Sequence, residues 1–170
     1  MRAAVVTVSD RSFRGERPDL SGPVLARGLG AIGADVIETL VVPDDPAMIA
    51  AALTRLADAA GCNLIVTTGG TGLSPRDTTP EATTRVIDKE LPGMAEVMRQ
   101  ESLKHTPFAM LSRGIAGVRG SSLIINLPGS PKAVKECLAV IAPVLDHAVK
   151  LLHDVDPYEH HKPACPLPPS

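Results

Sequence analysis

The sequence predicts an α/β fold, a three-layer α/β/α domain built around a mostly parallel sheet. Three observations point to it. Short, continuous apolar runs recur along the chain, as in strands buried on both faces. Helical patterns alternate with the first three of them. Glycine, proline and hydroxyl residues stand at the junctions, where turns and caps belong.

In chain order, Ala3-Ala4-Val5-Val6-Thr7-Val8 reads as the first strand, and the polar stretch from Ser9 to Leu20 as the loop that ends it. Ser21 is a candidate helix cap, Pro23 suits the first turn, and the apolar spacing continues to Ile32. Asp35 to Val42 is a second strand. Pro43-Asp44-Asp45-Pro46 is a turn, and the alanine-rich Ala47 to Ala60 is a helix ending at Gly61. Asn63 to Thr67 is a third strand. After a glycine loop, Thr78 or Thr79 caps a helix with Pro80 in its first turn, and Thr78 to Glu81 has capping-box spacing. A further helix is expected from about Gly93 to Lys104. Ser122 to Leu127 is another buried strand; Pro128-Gly129 turns the chain, Ser130 caps, Pro131 opens, and a long helix runs to about His153. The expected organisation is one domain over 1–154 and a disordered tail over 155–170, where five of the sixteen prolines fall.

Composition narrows the function classes. The 170 residues are 44% hydrophobic and 21% charged, the balance of one ordinary globular domain. Aromatics are 2% with no Trp, so the core must be Val, Ile, Leu and Ala, and base-stacking nucleic-acid modules are excluded. A net charge of −2 supplies no field to draw the chain to nucleic acid or a membrane. No apolar run approaches the ~20 residues of a transmembrane helix, and no signal peptide is expected. Cys62, Cys137 and Cys165 are single and far apart, which makes no disulfide framework and fits a reducing cytoplasm. Cys62 and Cys137 read as small buried hydrophobes. His105 and His147 read as surface or packing residues. His160-His161 has no partner at ligand spacing to make a metal site.

In parallel α/β sheets ligands bind at the C-terminal ends of the strands. Those ends deliver Ser9-Asp10, Pro43-Asp44-Asp45, Thr68-Gly69-Gly70-Thr71-Gly72 and Pro128-Gly129-Ser130-Pro131. Glycines at 69, 70 and 72 reach positive φ and let backbone N–H groups approach an anion; Thr71 and Ser74 add hydroxyls. The loop is neither a dinucleotide fingerprint, since Pro75 stands where glycine would be needed, nor a Walker loop, since no lysine follows Gly72. Carboxylates beside a phosphate loop repel its ligand unless a cation intervenes. Mg²⁺, which takes one or two carboxylates plus phosphate oxygens, resolves this with Asp44 and Asp77 as its ligands and the catalytic pair. Each also has a plainer reading, Asp77 as a helix-start carboxylate and Asp44 as a turn residue. Asp10 faces the ligand or is an ordinary loop carboxylate, and Arg76 pairs with phosphate or with Asp77. No Ser-His-Asp or Cys-His set is legible, which favours positioning and electrostatics over nucleophilic catalysis by the protein.

Taken together, Thr67-Thr68-Gly69-Gly70-Thr71-Gly72, Arg76-Asp77-Thr78-Thr79-Pro80-Glu81-Ala82-Thr83, Leu111-Ser112-Arg113 and Asn126-Leu127-Pro128-Gly129-Ser130-Pro131-Lys132 resemble the MoaB/Mog family of molybdenum cofactor biosynthesis. Thr106-Pro107-Phe108-Ala109-Met110-Leu111-Ser112-Arg113 and Gly117-Val118-Arg119-Gly120 are similar to the related domain of gephyrin and its plant counterpart. The resemblance covers residues 1 to about 153. It implies a molybdopterin-binding fold, a homotrimer, and a nucleotidyltransferase that uses Mg-ATP to adenylylate molybdopterin and release pyrophosphate. It places the family's two important aspartates at Asp44 and Asp77. Nucleotide and phosphate are expected on Ser9, Asp10, Gly69, Gly70, Thr71, Gly72, Pro128, Gly129 and Ser130, and the pterin on Ser112 and Arg113. For Arg113 an intersubunit salt bridge is the competing reading. A molybdate-insertion enzyme is a candidate partner. The alternative function is a catalytically silent, molybdopterin-binding trimer.

Overall fold

Four parallel strands and an antiparallel pair make one six-stranded sheet. The structure, a computed structural model, describes residues 1–153. Strands β1 (Arg2–Val8), β2 (Asp35–Val42), β3 (Leu64–Thr68), β4 (Lys89–Glu90), β5 (Ala116–Arg119) and β6 (Ser122–Leu127) lie in the order β2-β1-β3-β6-β5-β4. The first four in that order run parallel; β5 and β4 run antiparallel to their neighbours. The largely parallel α/β architecture expected from the sequence is therefore present.

Alternate residues of each central strand feed two cores. Ala3, Val5, Leu64, Val66, Leu123 and Ile125 pack against Leu25 and Leu29 of α2 (Ser21–Ala31), Met98 of α5 (Pro92–Leu103) and the Val134–Val149 stripe of α6 (Pro131–Leu152). Ala4, Val6, Val8, Ile65 and Ile124 pack against Ile49, Leu53 and Leu56 of α3 (Pro46–Asp58) and Ala82 of α4 (Thr79–Thr84). Strands covered on both faces explain the unbroken apolar runs. Each fully buried Leu or Ile contributes about 1.5–3 kcal/mol, so the sheet is a stiff base for the loops at its edge.

Several local expectations are corrected. The Ser9–Leu20 loop contains one helical turn, α1 (Asp10–Phe13), capped by the Ser9 hydroxyl, which accepts from the Ser12 amide. The cap of α2 is Asp19, not Ser21: its Oδ1 accepts from the Ser21 and Gly22 amides at 3.0 and 2.9 Å, and its Oδ2 accepts from the Thr7 hydroxyl at 2.7 Å. A carboxylate satisfies two orphan amides and carries the charge a helix start favours. The Thr78–Glu81 capping box does not form. Neither of its two bonds is present: Thr78 Oγ1 is buried with no hydrogen-bond partner, and the Glu81 carboxylate pairs with Arg113 instead of reaching back to the Thr78 amide. The β4–β5 pair and a 3₁₀ turn over Pro107–Leu111 add to the expected elements. The 155–170 tail, Cys165 and His160-His161 lie outside the described residues. Cys62 and Cys137 are free and buried, as expected.

Candidate active site

The strand order reverses at β1. From β1 the chain moves outward to β2, then crosses back to β3 on the other side of β1. At such a switch point the loops leaving the two strands diverge and open a crevice. Here those loops are Ser9-Asp10 after β1 and Thr68 to Gly72 after β3.

The glycines are required by close packing at this point. Gly69 has φ +101°, and a Cβ there would lie 2.3 Å from the carbonyl oxygen of Val8. Gly70 has φ +62°, and a Cβ would lie 2.3 Å from Thr79 Oγ1. Both conformations disfavour any side chain. The Gly69 amide is committed to Leu127 O at 3.1 Å, and Thr79 Oγ1 returns a hydrogen bond to Gly69 O at 2.9 Å. The β6 loop joins the same wall: Thr68 Oγ1 donates to Pro128 O at 2.7 Å, and Gly129 stacks on Gly69. Ser130 accepts from the Ala133 amide and caps the 22-residue α6, whose N-terminus begins there.

The aspartates converge on this wall. Asp10 and Asp44 exchange bonds: the Asp10 amide donates to Asp44 Oδ2 at 2.8 Å, and the Asp44 amide donates to Asp10 Oδ1 at 3.1 Å. Arg76 forms an ion pair with Asp10 rather than with Asp77. Asp77 Oδ2 accepts from the Ser74 amide at 2.9 Å and lies 2.9 Å from where a Gly72 Cβ would be. Burial pushes the Asp44 carboxyl above its ordinary range; the Asp10 amide opposes this, and the charges of Asp10 and Asp77 add to it. Clustered carboxylates that repel one another fit a hard divalent cation. Among the described residues no group of three or more His, Cys, Asp or Glu side chains has metal-cage spacing. Mg²⁺ needs no such cage when it shares one or two carboxylates with substrate phosphates and water.

A second compartment borders the same loop. A cavity of about 240 Å³ is lined by Gly72 and Pro128 on one side and by Met98, Ser102, Phe108 and Ser112 among others. Ser112 thus stands where a ligand can reach it. Arg113 turns the other way, into the Gly72–Asp77 loop. The α5 contribution was not read from the sequence, although Ala95, Met98, Arg99 and Ser102 recur at helical spacing and mark one face. Arg99 holds the cavity wall by donating to Gly114 O at 2.9 Å.

Fold and site define a class: a doubly wound α/β protein with a glycine-lined crevice at its switch point, flanked by carboxylates and by a neighbouring cavity. The chain belongs to the molybdopterin-binding domain family; the family model described as "Probable molybdopterin binding domain" matches residues 4–147. It is 45% identical over 150 residues to the molybdopterin adenylyltransferase of Helicobacter pylori, covering 87% of this chain and 85% of that one. It is 44% identical over 151 residues to the molybdenum cofactor synthesis protein cinnamon of Drosophila melanogaster, covering 88% of this chain but only 25% of that longer protein. The crystal structure of the molybdopterin biosynthesis enzyme MoaB of Thermus thermophilus superposes with a TM-score of 0.85 at 50% identity, over 90% of this chain and 96% of that one.

Proposed function

We propose that the chain is a molybdopterin adenylyltransferase of molybdenum cofactor biosynthesis. The carrying observation is that two compartments share one loop: the Asp10–Asp44–Asp77 crevice on one side of Gly72 and the Ser112-lined cavity on the other. A transfer between two substrates needs such an arrangement, with the reacting groups held side by side. The name molybdopterin adenylyltransferase, carried by relatives, supports molybdopterin as acceptor and ATP as adenylyl donor.

The molybdopterin terminal phosphate attacks the α-phosphorus of ATP; a new P–O bond forms, the α–β bridge breaks, and pyrophosphate leaves. The pterin occupies the cavity against Ser112. The amides of Gly70, Thr71 and Gly72, with the α6 N-terminus at Ser130, hold phosphate oxygens. Ser9, Asp10, Pro128 and Gly129 shape the nucleotide side. Asp44 and Asp77 would hold Mg²⁺, which would supply neutralisation of the charge developing at the α-phosphorus during adenylyl transfer. The protein works as a cytoplasmic homotrimer, and a molybdate-inserting enzyme takes its product. The free thiols of Cys62 and Cys137 fit a reducing compartment.

Incubation with molybdopterin, ATP and Mg²⁺ is expected to yield adenylylated molybdopterin. Asp77→Ala is expected to lower turnover at least about 10²-fold while leaving molybdopterin affinity largely intact. Molybdopterin binding without any product, from folded protein, sinks the enzyme reading and leaves a binding module.

A further inference from the structure

Arg113 is placed unlike a ligand-binding arginine. It follows the 3₁₀ turn Pro107–Leu111, whose Phe108 and Leu111 line the cavity, and its backbone amide donates to Thr71 O at 2.9 Å. Its guanidinium crosses to the opposite side. Nε donates to Gly72 O at 2.7 Å, Nη2 donates to Asp77 O, and Nη1 pairs with the Glu81 carboxylate. One planar cation therefore ties both ends of the 72–77 loop to the first turn of α4. Burial pushes Glu81 up, but the hydrogen bond from Arg113, its own backbone amide and the charges of Arg113 and Arg85 together hold its carboxyl below the usual range, so the pair is an ion pair at neutral pH. Carbonyl oxygens pointing at one cation from both ends of a loop cost it the freedom to open. Lysine cannot reproduce three directed bonds in one plane.

We propose that Arg113 is the positioning residue of the adenylyl transfer: it fixes the loop that presents Asp77, and it mechanically joins that loop to the cavity wall at Ser112. The proposal rests on the catalytic reading of Asp77. Filling of the cavity is then felt at Asp77 through the Leu111-Ser112-Arg113 segment, so that the transfer geometry is completed when both compartments are engaged.

The test compares Arg113→Gln, Arg113→Lys, Asp77→Asn and the double variant Arg113→Gln/Asp77→Asn. Three readouts are taken: single-turnover transfer with molybdopterin and Mg-ATP, equilibrium binding of molybdopterin, and amide hydrogen exchange over 73–77 in the protein without ligands. Arg113→Gln is expected to slow transfer about 10²-fold, the cost of a misplaced group, with molybdopterin affinity changed less than ~3-fold. Exchange over 73–77 should rise about 10-fold, and Arg113→Lys should restore part of both losses. The double variant should be no slower than Asp77→Asn, because both act through one group. A molybdopterin Kd raised ~10-fold or more with unchanged exchange overturns the proposal and makes Arg113 a substrate contact. Losses that multiply in the double variant overturn it too. Full transfer by Asp77→Asn instead removes the catalytic reading of Asp77, a result separate from anything Arg113→Gln shows. If Arg113→Gln does not fold, Glu81→Ala carries the same comparison, with a smaller expected slowing of about 10-fold, since it removes one of the three bonds; unchanged transfer and exchange there overturn the proposal.

Discussion

Asp44 shows how a residue suited to its chemistry works against the fold. Burial, offset by the Asp10 amide and reinforced by the charges of Asp10 and Asp77, raises its pKa above the ordinary 3.8. Between the unfolded and folded pKa values the native state therefore holds a proton that the unfolded chain has already lost. Stability associated with this group is present below pH 3.8 and is lost as pH rises through the folded-state value. Asp44→Asn is expected to melt higher than the parent at about pH 7.5 and to lose that advantage near about pH 3.5, where both carry a neutral group. Magnesium should raise the melting temperature of the parent and not of the variant. Thermal melts at the two pH values, with and without Mg²⁺, check this; a variant less stable than the parent at the higher pH contradicts it. Asp10 and Asp44 were legible as candidates because the strand-end rule needs only chain order, and Asp77 because it stands five residues after the glycine loop. The bonding of Arg113 was not, since its partners Gly72, Asp77 and Glu81 lie 41, 36 and 32 positions away and no local pattern encodes them.

Between elements, one buried side chain joins three of them and the segment that leads into a fourth. Asn126 of β6 donates from Nδ2 to Thr67 Oγ1 of β3 at 3.1 Å and to Thr83 Oγ1 of α4 at 3.0 Å. Its Oδ1 accepts from the Ile115 amide, just before β5, at 3.3 Å. Replacement by an apolar residue leaves the Thr67 hydroxyl and the Ile115 amide without this partner, and takes a donor from Thr83, whose hydroxyl keeps its bond to Thr79 O. Asn126→Leu is expected to cost about 2–4 kcal/mol of unfolding free energy, read from urea denaturation, and a loss under ~1 kcal/mol shows that the network is dispensable. Asn126 stood in plain view as the single amide in an otherwise apolar strand, yet its partners come from a topology that periodicity does not supply. The central strands and long helices were readable because their cores are one-dimensional patterns: β2 and β6 fall at Asp35–Val42 and Ser122–Leu127 as expected. The β5–β6 hairpin was missed because β5 is four residues long and its turn, opened by Gly120 at φ +52°, offers little apolar signal. Caps failed where a side chain had a better offer. Thr78 lost Glu81 to Arg113, and Ser21 yielded to Asp19.

At the scale of the whole molecule, the apolar surface is unevenly placed. The chain has two Phe residues, and both lie outside: Phe13 is 50% exposed and Phe108 75%. Met110 and Leu111 beside Phe108 are also exposed, so one five-residue turn shows three large apolar side chains to solvent. Single exposed apolar residues are ordinary, but a cluster of this kind marks a contact surface. Phe108 and Leu111 also border the Ser112 cavity, so a second copy seated on this turn would shelter that cavity from water. The family resemblance implies a homotrimer, so light scattering of the purified protein is expected to give three times the 17.7 kDa chain mass. The double variant Phe108→Glu/Met110→Glu places two charges where apolar contact is expected. It should keep its fold by circular dichroism, dissociate to the chain mass at micromolar concentration, and bind molybdopterin about 10-fold more weakly. A parent that scatters as a monomer removes the homotrimer. A variant that remains trimeric places the interface elsewhere, and the turn then serves the cavity alone.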